Sequence, residues 1–350
     1  MASLAPSRAP ALRVLMITSE WPVPDGRPRT TFFIKRQAEF LRAAGVDVDV
    51  FHFKGAGRPW NYLKAWLRVR RRVTRGAYDL VHAQFGQSGL LAFPKRLPLV
   101  ITFRGDDLQG IEDARGRLTL GGRLLKLACQ AMARRADTTI VVSEHMRPLV
   151  HPSVPTRVIP SGLDLSLFRP IPRDEARHRL GLPLDRRLVL FAGDPALPRK
   201  RFALARAAVD VLSRSLAAEL VVAWGVPHGD VPFYMSACDA LVFTSMQEGS
   251  PNVVKEALAC DLPVVSVAVG DVPARLRGIA GCEVCADDRP ETVAAALERV
   301  LRRRQRIAGH DAVRDLDEGK LTQEVIAIYR SVVARRDAGR VVVEAPDAVS

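Results

Sequence analysis

The 350-residue chain holds only five cysteines, Cys129, Cys238, Cys260, Cys282 and Cys285. Few and odd in number, they form no disulfide framework. Cys282 and Cys285 make a lone C-x-x-C with no second pair and no histidine at ligand spacing, which favours ordinary buried thiols over zinc or redox chemistry. No apolar run is long enough to span a bilayer. The opening MASLAPSRAPALRVLMITSEW has only a short apolar stretch broken by Arg13, and it reads as a first core strand rather than a secretory leader. A cytoplasmic protein is therefore expected. There is no internal repeat and no low-complexity tract, and the first βαβ segment lacks G-x-G-x-x-G, so nothing favours a nicotinamide or flavin dehydrogenase. Acidic residues are also scarce, with 38 Asp+Glu against 52 Lys+Arg and a net charge of +14.

That excess is one-sided. Residues 1–165 hold 26 Lys+Arg against 13 Asp+Glu, whereas residues 166–350 hold 26 against 25. Arg68, Arg70, Arg71, Arg72 and Arg75 lie in an amphipathic helix expected over residues 60–75, with Trp60, Leu63, Leu67 and Val69 available for packing and the arginines for solvent or lipid headgroups. One-sided positive charge suits anionic partners. An anionic membrane surface on the cytoplasmic side, or a phosphate-bearing acceptor, fits better than nucleic acid, since no basic motif interleaved with aromatics is present. The alternative is an arginine-rich composition with solvated faces. The length exceeds one core and the 48% hydrophobic content supplies two. The expected division is 1–165, 166–321, a last helix over 322–340 and a frayed tail over 341–350.

In the first part, residues 13–18 read as a buried parallel strand. A Pro/Gly-rich loop containing Gly26 follows, then a helix from about Thr31 to Ala44 and a strand in which Val46, Val48 and Val50 alternate with aspartates. The strands at 80–83 and 99–103 each end in small or polar residues, which places His82, Arg104 and Asp107 near a cleft. In the second part, Arg199, Lys200 and Arg201 crowd a helix start. Cations oppose the helix dipole there, and an anionic ligand is a physical reason for them.

The stretch VFTSMQEGSPNVVKEALACDLPVVSVAVG, residues 242–270, reads as strand, loop, helix, strand. Ser250 can cap the helix, with Pro251 as its first residue. Glu248 stands just outside the helix and Glu256 one to two turns inside. Free N–H groups at that end attract anions and hydroxyl oxygens, and the carboxylates accept hydrogen bonds from hydroxyls. The pair suits a polyhydroxylated, negatively charged ligand such as a sugar nucleotide.

EGSPNVVKEALACDLPVVSVAVGDV closely resembles the Glu-x7-Glu signature of the glycosyltransferase family 4 enzymes, most of all bacterial members that build cell-surface polysaccharide. YDLVHAQFGQSG, VITFRGDDL and VIPSGLDLSLFRP resemble family segments of the acceptor domain and the interdomain link. The resemblance implies the α/β GT-B fold: two Rossmann-like domains facing each other across a cleft, with a C-terminal helix crossing back to the first. It implies a metal-independent, retaining transfer of a sugar from a nucleotide-sugar donor to a saccharide or lipid-linked saccharide acceptor, with no cofactor. By the same resemblance Glu248 contacts donor-sugar hydroxyls, Glu256 the ribose, and Lys200 the diphosphate, with Arg199 as its partner. Gly249, Ser250, Pro251, Asn252 and Gly26 belong to the donor site, and Arg104, Asp107 and His82 to the acceptor side. Arg104 stands where many members have histidine, and Asp194 where they have arginine. Asp194 keeps alive a non-catalytic donor-binding partner of another transferase. A GT-B nucleotide-sugar epimerase is a further alternative. The sugar, nucleotide, acceptor and linkage are not specified by the sequence, nor is the oligomeric state.

Overall fold

The computed structural model describes residues 12–22, 32–55, 59–113 and 116–344. The first sheet is wholly parallel and comes from six apolar segments: β1 (Arg13–Thr18), β2 (Asp47–His52), β3 (Leu80–Gln84), β4 (Leu99–Phe103), β5 (Thr138–Val141) and β6 (Thr156–Val158), in the order β2-β1-β3-β4-β5-β6. β1 is central enough to be buried on both faces, so Val14, Leu15, Met16 and Ile17 have no exposed surface. Its helices are α1 (Phe32–Ala43), α2 (Pro59–Arg75), the short α3 (Asp106–Gln109) and α4 (Leu120–Ala133). α1 connects β1 to β2 on one face, and α2 and α4 pack on the other, as right-handed crossovers on either side of β1 require.

The second sheet has five parallel strands in the order β11-β10-β9-β7-β8: β7 (Arg187–Ala192), β8 (Ala218–Ala223), β9 (Ala240–Phe243), β10 (Val264–Ser266) and β11 (Glu283–Val284). Around it lie α5 (Arg173–Leu180), α6 (Phe202–Leu212), α7 (Val231–Ala237), α8 (Asn252–Ala259), α9 (Val272–Leu276), α10 (Pro290–Arg302) and α11 (Gly309–Ala312). Its core is continuous from Phe168 through β7 and β9 to Val300. The last helix, α12 (Glu318–Glu344), leaves this domain and buries Leu321, Val325, Ile326, Tyr329 and Val332 against β1 and α1 of the first. It starts one turn before the expected residue 322, because residues 316–318 pair with Leu163 of the link: Leu163 N donates to Leu316 O and Glu318 N to Leu163 O, at 2.7 and 2.9 Å. It is helical through 344, beyond the expected 340.

Two expectations for the first domain change. In α2 the buried side carries Ala65 and Val69 with Tyr62, Trp66 and Val73 partly covered, whereas Trp60, Leu63 and Leu67 point outward. His82 has no exposed surface: Nδ1 lies 2.6 Å from Tyr329 Oη of α12 and Nε2 lies 2.7 Å from Thr102 Oγ1. It fastens the last helix to the sheet and does not reach the cleft. Among the described residues, no helix is long and apolar enough to cross a membrane.

Candidate functional site

The C-terminal ends of both sheets open onto one cleft of about 750 Å³, lined from the first domain by Glu20, Arg104 and Asp106 and from the second by Arg199, Lys200, Glu248 and Glu256 among others. This is where parallel α/β sheets bind ligands. On the second domain, two loops are stitched together. Thr244 Oγ1 donates to Lys200 O at 2.9 Å, Arg201 Nε to Thr244 O at 2.6 Å, and Met246 N to Arg199 O at 2.9 Å. Arg201 adopts the left-handed conformation that ends the turn at 198–200 and starts α6. Its side chain turns away to Asp288, and Lys200 is left facing the cleft. Lys200 Nζ donates to Glu248 Oε1 at 2.6 Å, and Arg199 Nη1 stands 3.8 Å from the same oxygen. One carboxylate therefore aligns two cations beside the first turn of α8.

That first turn differs from the expected cap. α8 begins at Asn252 with Pro251 in the cap position, and Ser250 Oγ donates to Asp271 Oδ2 at 2.5 Å instead of accepting from the helix. With no side-chain cap, the leading amides stay open toward the cleft. Ser250, Pro251, Asn252 and Glu256 line the same wall, as Gly249 does. Asn252 Oδ1 is buried and has no hydrogen-bond partner among the described residues. Burial pushes the Glu256 pKa up, while Arg36 and Lys255 pull it down. Lys255 points away from the cleft into the link, its Nζ 3.3 Å from Ser161 O, and burial lowers its pKa to about 8. Gly26 lies outside the described residues.

On the first domain, Arg104 is clamped. Nη1 donates to Ser161 Oγ at 2.7 Å and Nη2 to Gln84 Oε1 at 2.6 Å, and the guanidinium sits 4.6 Å from the Phe33 ring centre. Burial lowers its pKa to about 10, so it is a fixed cation at neutral pH. Asp107 lines the cleft, but its oxygens are occupied by the amides of Gly86, Arg104, Gly105 and Leu108 at 3.0–3.1 Å. It shapes the loop rather than meeting a ligand. The neighbouring Asp106 lacks such a backbone cage, and burial raises its pKa against the pull of Arg199. Burial likewise raises Glu20, against Arg104 and Arg199.

The sequence reading did not single out Glu20, Asp106 or the aromatic wall. Glu20 and Asp106 could be found only through the strand-end rule that pointed to Arg104. His228 stacks on Phe32 of the opposite domain with ring centres 4.6 Å apart, and both line the cleft. Trp224 lines it too. The domains also touch through backbone: Gln247 Nε2 donates to Gly110 O at 2.8 Å and Ser143 Oγ to Gly249 O at 3.3 Å. Among the described residues no group of three or more His, Cys, Asp or Glu could hold a metal ion.

Residues 13–167 match the Glycosyltransferase Family 4 model, and residues 185–303 match Glycosyl transferases group 1. The chain belongs to the family 4 glycosyltransferases. It is 29% identical to the putative teichuronic acid biosynthesis glycosyltransferase TuaC of Bacillus subtilis, over 59% of this chain and 60% of that one. It is 30% identical to a D-inositol 3-phosphate glycosyltransferase of Mycobacterium tuberculosis, over 78% of this chain and 66% of that one. The chain thus spans about 60–66% of the length of these two curated relatives. Among solved structures it resembles sucrose-phosphate synthase from Thermosynechococcus elongatus, with TM-score 0.78 and 19% identity over 93% of this chain and 100% of that one. It also resembles Anabaena HepE in complex with UDP-glucose, with TM-score 0.68 and 17% identity over 91% and 100%. At such identities the likeness is one of fold, and that fold is GT-B. The family 4 glycosyltransferase described here accordingly has two Rossmann-like domains with a helix crossing back.

Proposed function

We propose that this glycosyltransferase moves a sugar from a nucleotide-sugar donor to a saccharide or lipid-linked saccharide acceptor, with retained anomeric configuration and without a metal ion, in cell-surface polysaccharide biosynthesis. The observation that carries the reading is the Lys200–Glu248 contact of 2.6 Å, with Arg199 alongside, at the open N-terminus of α8. When the bond between sugar and diphosphate breaks, negative charge collects on the leaving group, and preorganised cations and helix amides stabilise it without reorganising. Lys200, Arg199 and the amides after Gly249 take that task. Glu248 and the unpartnered Oδ1 of Asn252 accept from donor-sugar hydroxyls, and Glu256 from the ribose. Arg104 and Asp106, across the cleft, face the acceptor. The polysaccharide setting is supported by the name of the TuaC relative, and the donor class by HepE, crystallised with UDP-glucose.

A second reading, a donor-binding partner without catalysis, is favoured by Asp194. It lines the cleft where a cation would strengthen the clamp, and its Oδ1 accepts from Ala196 N at 2.9 Å as an ordinary turn residue. The test is incubation with UDP-, GDP- and ADP-sugars without acceptor, following nucleotide release. One donor should be hydrolysed slowly, at an unchanged rate in EDTA. Lys200→Ala should lower the rate about 100-fold or more, the scale of losing one preorganised donor to a developing charge, and Glu256→Ala should lower it at a fixed donor concentration by weakening the hold on the ribose. Donor binding with no turnover, even after membrane extract is added, would select the second reading.

A further inference from the structure

We infer that the outer side of α2 and α4 is a docking surface for an anionic lipid bilayer. The crossovers from β2 to β3 and from β4 to β5 put both helices on the same sheet face, where their inner sides share one core with Leu91 of the turn between β3 and β4. Their outer sides are apolar as well. In α2, Trp60, Leu63 and Leu67 stand three and four residues apart on one stripe, and Trp60 is 73% exposed. In α4, Leu120, Leu124 and Leu127 stand four and three apart, at 76%, 61% and 62% exposed. Leu90, on the turn packed between the two helices, is exposed too. Single exposed leucines need no explanation, but two helical stripes on one face do.

Charge selects the occupant. Neither helix contains an aspartate or glutamate. Lys64, Arg68, Arg71 and Arg75 run along α2 beside its apolar stripe, all exposed, and none forms an ion pair with another described residue. In α4, Arg123 and Lys126 are interleaved with the leucines. An apolar stripe edged by unpaired cations fits the boundary between anionic headgroups and acyl chains. A second copy of the same face would set like charges against each other, and nucleic acid would leave the leucines uncovered. The surface also adjoins the cleft, since Ile111 and Leu125 at the α4 end line its wall. Docking would hold the cleft mouth near the bilayer and favour the lipid-linked acceptor. That last consequence alone rests on the transfer reading.

The experiment is co-sedimentation of the purified chain with phosphatidylcholine vesicles, with and without phosphatidylglycerol, at low and high salt. Binding should require the anionic lipid and weaken with salt. The variant Lys64→Gln, Arg68→Gln, Arg71→Gln should bind about 100-fold more weakly, since each surface cation contributes about one kcal/mol against an anionic membrane. Leu124→Ser with Leu127→Ser should lose about tenfold per leucine. These side chains are exposed, so circular dichroism and acceptor-free nucleotide release should stay unchanged in both variants, which separates lipid docking from the chemistry of the cleft. Equal binding to neutral and anionic vesicles, or no binding at low salt, would overturn the inference. So would a leucine variant that altered the molecular mass in solution and left vesicle binding intact, which would make the face an interface between copies.

Discussion

His82 sits in the middle of β3 between Tyr329 and Thr102, and burial together with the nearby Arg104 lowers its pKa from 6.5 to about 3. A depressed folded pKa means that the unfolded chain takes up the proton first as pH falls. The stability contributed by the neutral ring is therefore fully present above pH 6.5 and is lost progressively toward pH 3. At pH 4 the loss is about 3 kcal/mol, at 1.36 kcal/mol per unit. Urea unfolding of the wild type and His82→Gln should show the variant weaker at pH 7 but with a flatter decline between pH 6.5 and 4. Parallel declines would mean that groups other than His82 carry the acid sensitivity. The position also shows a limit of sequence reading. Strands ending in polar residues do point at the cleft, as Arg104 confirms by lining it, but His82 lies two residues short of the end of β3. Its partner Tyr329 is 247 residues away, a contact that no local spacing announces.

Among the elements, the loop before α8 is the most constrained, because it meets the loop after β4 backbone to backbone. A Cβ on Gly249 would stand 2.3 Å from Arg104 O and 3.2 Å from Gly105 Cα, and Gly105 itself holds a φ of +155°. Backbone atoms cannot rotate aside as a flexible side chain can, so Gly249→Ala must separate the two loops by an ångström or more. Misplacement on that scale costs roughly 100-fold in rate when reacting groups must be aligned across a cleft. The variant should fold with near-normal circular dichroism, release nucleotide about 100-fold more slowly, and show a larger radius of gyration by small-angle scattering. A wild-type rate would mean that the loops are apart during catalysis. This element was readable in advance, since β9, its glycine turn and α8 have distinct residue chemistry. The face of α2 was not. Trp60, Leu63 and Leu67 make one helical stripe, and Tyr62, Ala65, Trp66, Val69 and Val73 make another. Spacing cannot choose between two apolar stripes on one helix when only one packs on the sheet.

For the whole molecule, the two domains are tied by chain that leaves the second and returns to the first. Arg36 of α1 and Glu318 at the start of α12 are both nearly buried; Arg36 Nε donates to Glu318 Oε2 at 3.1 Å, and Arg36 Nη2 donates to Gly162 O of the link. One ion pair thus joins the first domain, the link and the crossing helix. A crossing helix was expected from the family pattern, but the lock was not, because its three parts are far apart in sequence. Removing one member of a buried pair strands the other charge and costs about 3–5 kcal/mol, whereas replacing both with apolar residues can be nearly neutral. Arg36→Met should therefore destabilise by about 3 kcal/mol. In the wild type, calorimetry should show the domains unfolding together, and in Arg36→Met the first domain should melt separately and earlier. Arg36→Met combined with Glu318→Leu should recover most of the stability and restore joint melting. If the two single losses simply added in the double variant, the ion pair would carry no coupling and the apolar packing of Leu321, Val325 and Tyr329 alone would hold the helix across.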